Sequence, residues 1–185
     1  MTLSSFTQDI KNTIVSAIKG TDDIASALRG AVKNQVVGSL KDAGDITSAT
    51  LDTVGDVVSG AILGARDIGL SAIDAAHDSV SSAVLGVSEV GGDVMAASEK
   101  AVTGAIKGAA EVGEDVGQVA VAAVEGAIEG AGKLGKNTND VVRITAVGAV
   151  KTASEVGEET GKTVREALLS AASLPHDVIE SALKG

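Results

Sequence analysis

The sequence restates itself every 22 residues. GAILGARDIG begins at Gly60, SAVLGVSEVG at Ser82, GAIKGAAEVG at Gly104, GAIEGAGKLG at Gly126 and GAVKTASEVG at Gly148. The same frame places SAIKGTDDIA at Ser16, GSLKDAGDIT at Gly38 and SAASLPHDVI at Ser170, with no residue inserted or deleted between them. A period held this strictly constrains the fold before any single residue does.

Within a unit, apolar residues fall at positions 2, 6, 9, 13, 17 and 21. That is six turns in 22 residues, a period of about 3.67, the eleven-residue or hendecad pattern that keeps one stripe on one face of a nearly straight helix. A β-solenoid of similar repeat length would alternate its faces with period 2, and these faces do not alternate. The expected fold is therefore all-α: one long amphipathic hendecad-repeat helix, or a helical hairpin, packing into a multi-helix bundle, tube or filament. Residues 1–15 read as a lead-in helix, 16–169 as seven 22-residue repeats, and 170–185 as a partial eighth repeat broken at Pro175, the one proline, which cannot continue a helix.

The stripe has Ala at its centre, as at Ala105 and Ala127, with Ala109 and Val112 flanking it. Positions 1, 5 and 10 lie further out and carry Gly104, Gly108 and Gly113, while Lys107, Glu111 and Glu114 occupy the opposite face. Each interior glycine weakens a helix by roughly 0.5–1 kcal/mol relative to alanine. Their placement supplies a reason to keep them. Gly60 with Gly64, Gly104 with Gly108, and Gly126 with Gly130 form small-xxx-small pairs that let two helix backbones approach closely. With Gly113, Ala105, Ala127 and Val112 they form the expected helix-packing face. An arc this wide asks for two neighbours per helix, hence three or more helices, contributed by copies of the chain or by a helical partner, and an apolar lumen able to hold a lipid-like or quinone-like molecule.

Two stretches collect turn formers, Gly91-Gly92-Asp93 and the segment GKNTND from Gly135 to Asp140. The unbroken register argues against a turn at either, because turns usually take residues out of phase.

Composition narrows the function classes. The 185 residues include one Phe and no Trp, Tyr or Cys. Disulfides, thiolate zinc sites and cysteine nucleophiles are excluded. A formal charge of −10 argues against nucleic acid and against electrostatic attraction to anionic lipid. The first residues lack a basic segment followed by an apolar one, and no run approaches 18 uncharged apolar residues, so neither a secretory signal nor a transmembrane span is expected. A cytoplasmic location follows, with peripheral attachment to a granule or membrane surface as the alternative.

Chemistry-bearing residues are sparse. His77 and His176 each precede an Asp on the polar face, and neighbours in sequence point apart on a helix, a poor chelate. The acid pairs Glu114-Asp115 and Glu158-Glu159 read as a solvated face, and the GxxxG pairs lack the Lys-Ser or Lys-Thr of a phosphate loop. No catalytic residue, metal site or cofactor is expected, and the chain does not read as an enzyme.

The stretch AVTGAIKGAAEVGEDVGQVAVAAVEGAIEGAGKLG, residues 101–135, resembles in pattern and composition the eleven-residue-repeat amphipathic proteins: group 3 late embryogenesis abundant proteins, synucleins, exchangeable apolipoproteins, perilipins and polyester-granule phasins. The resemblance implies a non-enzymatic helix that orders on a surface or on other helices. The chain departs from the lipid-binding members in its acidity and in a face of Ala, Gly and Val, which gains little per turn from entering lipid. Its mean hydropathy of +0.28 exceeds that of the desiccation protectants. Two functions are expected in competition: a self-assembling or partner-packing scaffold, and a phasin- or apolipoprotein-like coat on lipid or polyester granules.

Overall fold

Each repeat is one helix and one turn. The computed structural model describes residues 5–184 and is all-α across them: α1 (Ser5–Ile18), α2 (Ile24–Ala43), α3 (Ser48–Gly64), α4 (Ala72–Glu89), α5 (Val94–Glu111), α6 (Val116–Lys133), α7 (Thr138–Val156), α8 (Glu158–Ser170) and α9 (His176–Lys184), with a 3₁₀ turn at Arg66–Ile68. The central helices α4, α5 and α6 have 18 residues each, about 27 Å at 1.5 Å per residue.

The long continuous helix does not form, because a left-handed glycine ends the helix in unit after unit. Gly69, Gly91, Gly113 and Gly135 stand 22 residues apart with φ between +70° and +78°. After each, the chain closes a Schellman motif. At the second, the Gly92 N–H donates to the Val87 carbonyl at 2.9 Å and the Gly91 N–H to Ser88 at 3.0 Å. Glu114 to Ala109 and Lys136 to Ala131 repeat the bond at 2.9 and 3.0 Å. Two residues past the glycine, a capping side chain opens the next helix. Asp93 accepts from the Met95 and Ala96 N–H groups, Asp115 from Gln118, Asn137 from Asn139 and Asp140, and Ser71 from Asp74. These side chains satisfy donors that the helix itself leaves unpaired.

The turn stays invisible to the register because it takes the same number of residues every time. Both Gly91–Asp93 and Gly135–Asp140 are turns, and so are 69–71 and 113–115. The first units differ: left-handed Gly20 and Gly44 turn the chain earlier, and N-caps Asp23, Thr47 and Ser71 are 24 residues apart before the spacing settles at 22. At the other end, Gly157 is extended, with φ 179°, and breaks α7 from α8 within one residue. The lead-in helix α1 runs past residue 15 into the first repeat.

Short turns make consecutive helices antiparallel neighbours, and the helices sort into two layers. α1, α3, α5, α7 and α9 stack in one layer, and α2, α4, α6 and α8 in the other, each helix packing most extensively on those two before and two after it. At the ends of the stack α1 and α2 do not pack on α8 and α9, so the described chain is an open stack and not a closed tube.

Burial follows position in the stack. α3 buries an unbroken run from Val57 to Gly64, and α5 buries Gly104, Ala105, Ile106, Gly108 and Ala109, because neighbours press on several sides. The end helices bury a single stripe, Ile10, Ile14 and Ile18 in α1 and Leu28, Val32, Val36 and Leu40 in α2. The bulkier aliphatics thus gather where one face alone must hold the helix, and small residues where several faces do.

Candidate functional site

The glycines singled out by the repeat sit where one helix meets the next in its own layer. A methyl group built on Gly104 would overlap the carbonyl of Gly55 in α3, and one on Gly126 would overlap the carbonyl of His77 in α4. Gly55 reciprocates: its added carbon would come within 2.9 Å of the Lys100 carbonyl oxygen in α5. One turn on, Gly108 faces Ser59 and Ile62 at 3.0–3.2 Å, and Gly130 faces Ser81 and Val84 at 3.0–3.3 Å. In α3, Gly60 meets Ile10 at 2.9 Å and Gly64 meets Val15 at 2.8 Å. Ala105 and Ala127 are fully buried between these contacts. Backbone meets backbone at the same separation along the chain, 49 residues from Gly55 to Gly104 and from His77 to Gly126.

Two residues of the expected face do something else. Gly113 has φ +70° and open space around it, so its freedom serves the turn after α5 and not a close approach. Val112 caps the end of α5 and is half-buried against the core. Sequence reasoning put Gly113 in the packing set because three glycines per unit look alike; the acid or amide two residues after the third one, as in Gly113-Glu114-Asp115 and Gly135-Lys136-Asn137, is the signal that separates a turn from a contact.

The packing face is also turned toward the chain itself. Copies or a separate helical partner were expected to cover it, yet the covering surfaces are α1, α3, α4 and α5 of the same molecule. The physical reason is the turn: once each unit folds back, the face of one helix reaches that of the helix two before it. Ala and Val side chains fill the space between layers, with Val102, Ile106, Ala120 and Val124 fully buried and no lumen among them.

Ion pairs on the rim link the same helices. Lys100 meets Asp52 at 2.6 Å across α5 and α3, Lys33 meets Glu89 at 2.9 Å across α2 and α4, and Arg66 meets Glu114 at 2.6 Å. Exposed pairs of this kind contribute little to stability. His77 lies between two carboxylates, Nδ1 at 3.2 Å from Asp78 and Nε2 at 3.0 Å from Glu129 of α6. Glu129 also accepts from Lys133 at 2.6 Å, and that bond holds its carboxyl below the usual range against the opposing effect of partial burial. His176 donates to the Leu169 carbonyl at 2.9 Å and stays near its own helix. Among the described residues no group of three or more His, Cys, Asp or Glu is placed to hold a metal ion, and no helix is long and apolar enough to cross a membrane.

A shallow groove of about 350 Å³ opens between α4, α6 and α8, lined by Ile73, Val121, Ala122, Ala167 and Ala171 with Gln118 and Glu125 at its rim. One polar atom lies buried without a partner, the hydroxyl of Ser79 in α4.

No protein-family model and no curated protein matches this sequence. Among solved structures the chain is similar to a de novo designed helical repeat protein, with a TM-score of 0.55 and 18% identity over 92% of this chain and 95% of that one. That likeness concerns the fold: this chain, like that one, is a helical repeat protein.

Proposed function

We propose that the protein is a non-enzymatic structural scaffold, a self-stacked helical-repeat body that holds its acidic outer surface in fixed register for partners. The observation that carries this reading is the burial of Gly104, Gly108, Gly126 and Gly130 against the chain's own backbone, which lets the stack order without lipid or a second protein. The surface left over is strongly charged, with fourteen acids against six bases between residues 51 and 150.

A second reading, a coat on lipid or polyester granules, draws on one feature. The apolar stripe stays in phase through the turns, so a chain opened at its glycines would present one continuous apolar face. Circular dichroism with size-exclusion light scattering on the lipid-free protein separates the two. The scaffold reading expects a highly helical species with a cooperative melt, and unchanged helix content when phosphatidylcholine vesicles or polyester particles are added. A disordered chain that becomes helical only on those surfaces would refute the scaffold and leave the coat.

A further inference from the structure

The first helix of the second layer leaves bare the face that its successors bury. Counted from their N-caps, Gly86 of α4, Gly108 of α5 and Gly130 of α6 share one position, fifteen residues on, and each lies against the helix two before it. Gly38 holds that position in α2, counted from Asp23, and nothing lies within 4 Å of a carbon built on it. Gly30, two turns earlier, is equally open, and Asn34 between them is exposed. A glycine inside a solvated helix weakens it with no packing in return.

We propose that this face of α2 is an interface with a second copy of the chain, α2 against α2 about a two-fold axis. It continues the repeat's own interface: the same helix position that takes a neighbouring backbone at Gly86, Gly108 and Gly130 is offered at Gly38 with none on it. Charge favours a copy here and nowhere else along the stack. Residues 1–50 carry five bases and five acids, whereas residues 51–150 carry a net −8, so two molecules of charge −10 approach with least repulsion at this end. The adjoining helix α1 carries the chain's one aromatic residue, Phe6, 42% exposed. The opposite end of the stack is closed, because α9 folds back onto α7 and α8 and Arg165 donates to the Leu183 carbonyl at 2.8 Å. One open face on each molecule gives a closed pair and not a filament.

Sedimentation velocity on the full chain tests this across about 1 to 100 µM, the range in which a pair of micromolar affinity dissociates. Wild type is expected to pass from monomer to dimer, and Gly38→Glu and Asn34→Arg to remain monomeric throughout with wild-type helix content, since neither side chain meets a neighbour within the chain. Gly132→Glu, on an exposed site of α6 away from this end, is expected to keep the dimer. A wild type that is monomeric at every concentration, one that grows beyond two copies, or a Gly38→Glu variant that still pairs would overturn the proposal. Circular dichroism on the same samples separates loss of pairing from loss of the fold, which bears on the scaffold reading instead.

Discussion

Adding one methyl group at Gly104 is the sharpest test of the stack. The new carbon would overlap the Gly55 carbonyl, a backbone atom on a helix itself wedged between α1 and α5, so no side chain can rotate away. Alanine improves helix propensity by about 1 kcal/mol over glycine. Against this, overpacking a filled core costs about 1–3 kcal/mol, and backbone-on-backbone contact belongs at the upper end. Moving α5 off α3 by 0.5–1 Å would also forfeit roughly a quarter to a half of each dispersion contact along the seam. The net expectation for Gly104→Ala is a loss of about 2 kcal/mol, or about 4–8 °C in thermal midpoint for a chain of this size. Gly132→Ala is the internal control: it is exposed, its added carbon meets only Thr138 at 3.7 Å, and its midpoint should rise by a degree or more. Calorimetry on both variants and wild type decides the matter. Were Gly104→Ala to stabilise the protein as Gly132→Ala does, α3 and α5 would not approach as described, and the account of the glycines would fail.

Other substitutions isolate other parts of the argument. Gly113→Ala has open space but a left-handed backbone, so urea unfolding should show a loss of about 1–2 kcal/mol, with Gly113→Asn milder. Ser79→Ala removes a buried hydroxyl with no partner and puts in α4 the residue that Ala101 and Ala123 supply one and two repeats later; a gain of about 1 kcal/mol is expected in the same assay. Burial lifts the carboxyl of Asp56 above its usual range, with nearby Lys107 pulling the other way and Asp52 adding to the rise. Its folded value therefore exceeds its unfolded one, and the stability tied to the protonated form is present at low pH and lost as pH rises through the folded value. Asp56→Asn escapes that loss, so its advantage over wild type should widen from about pH 3 to about pH 6 in a pH series of unfolding midpoints; a constant difference would count against burial as the cause.

Much of this architecture was legible in the residues. The 22-residue period and the helical spacing of Ala105, Ala109 and Val112 specified helices, and the pairing of Gly104 with Gly108 marked where backbones meet. What the residues did not announce was the partner. A glycine that touches a carbonyl 49 residues away and one that touches another molecule look the same in one dimension, and the difference lies in whether the chain turns between units. That decision rests on Gly91, Gly113 and Gly135, whose φ values no composition records, together with Asp93, Asp115 and Asn137 behind them. Their turns consume a constant count, so the hendecad register that argued for a continuous helix is equally compatible with a folded one. The end of the repeat was clearer: Pro175 begins α9 from the residue before it, and Ile179 in the short helix that follows is fully buried.

The constant turn has a consequence for how such a chain can change in length. Helix direction reverses with each 22-residue unit, so removing one unit would reverse the direction of every later helix and move it to the opposite layer, whereas removing two restores both. Excising residues 94–137, 44 in all, would leave Asp93 to cap the former α7 in place of Asn137 and would set that helix beside α3 in the seat of α5. Size in this architecture is therefore a matter of whole pairs, added or subtracted by duplication without redesign of any joint.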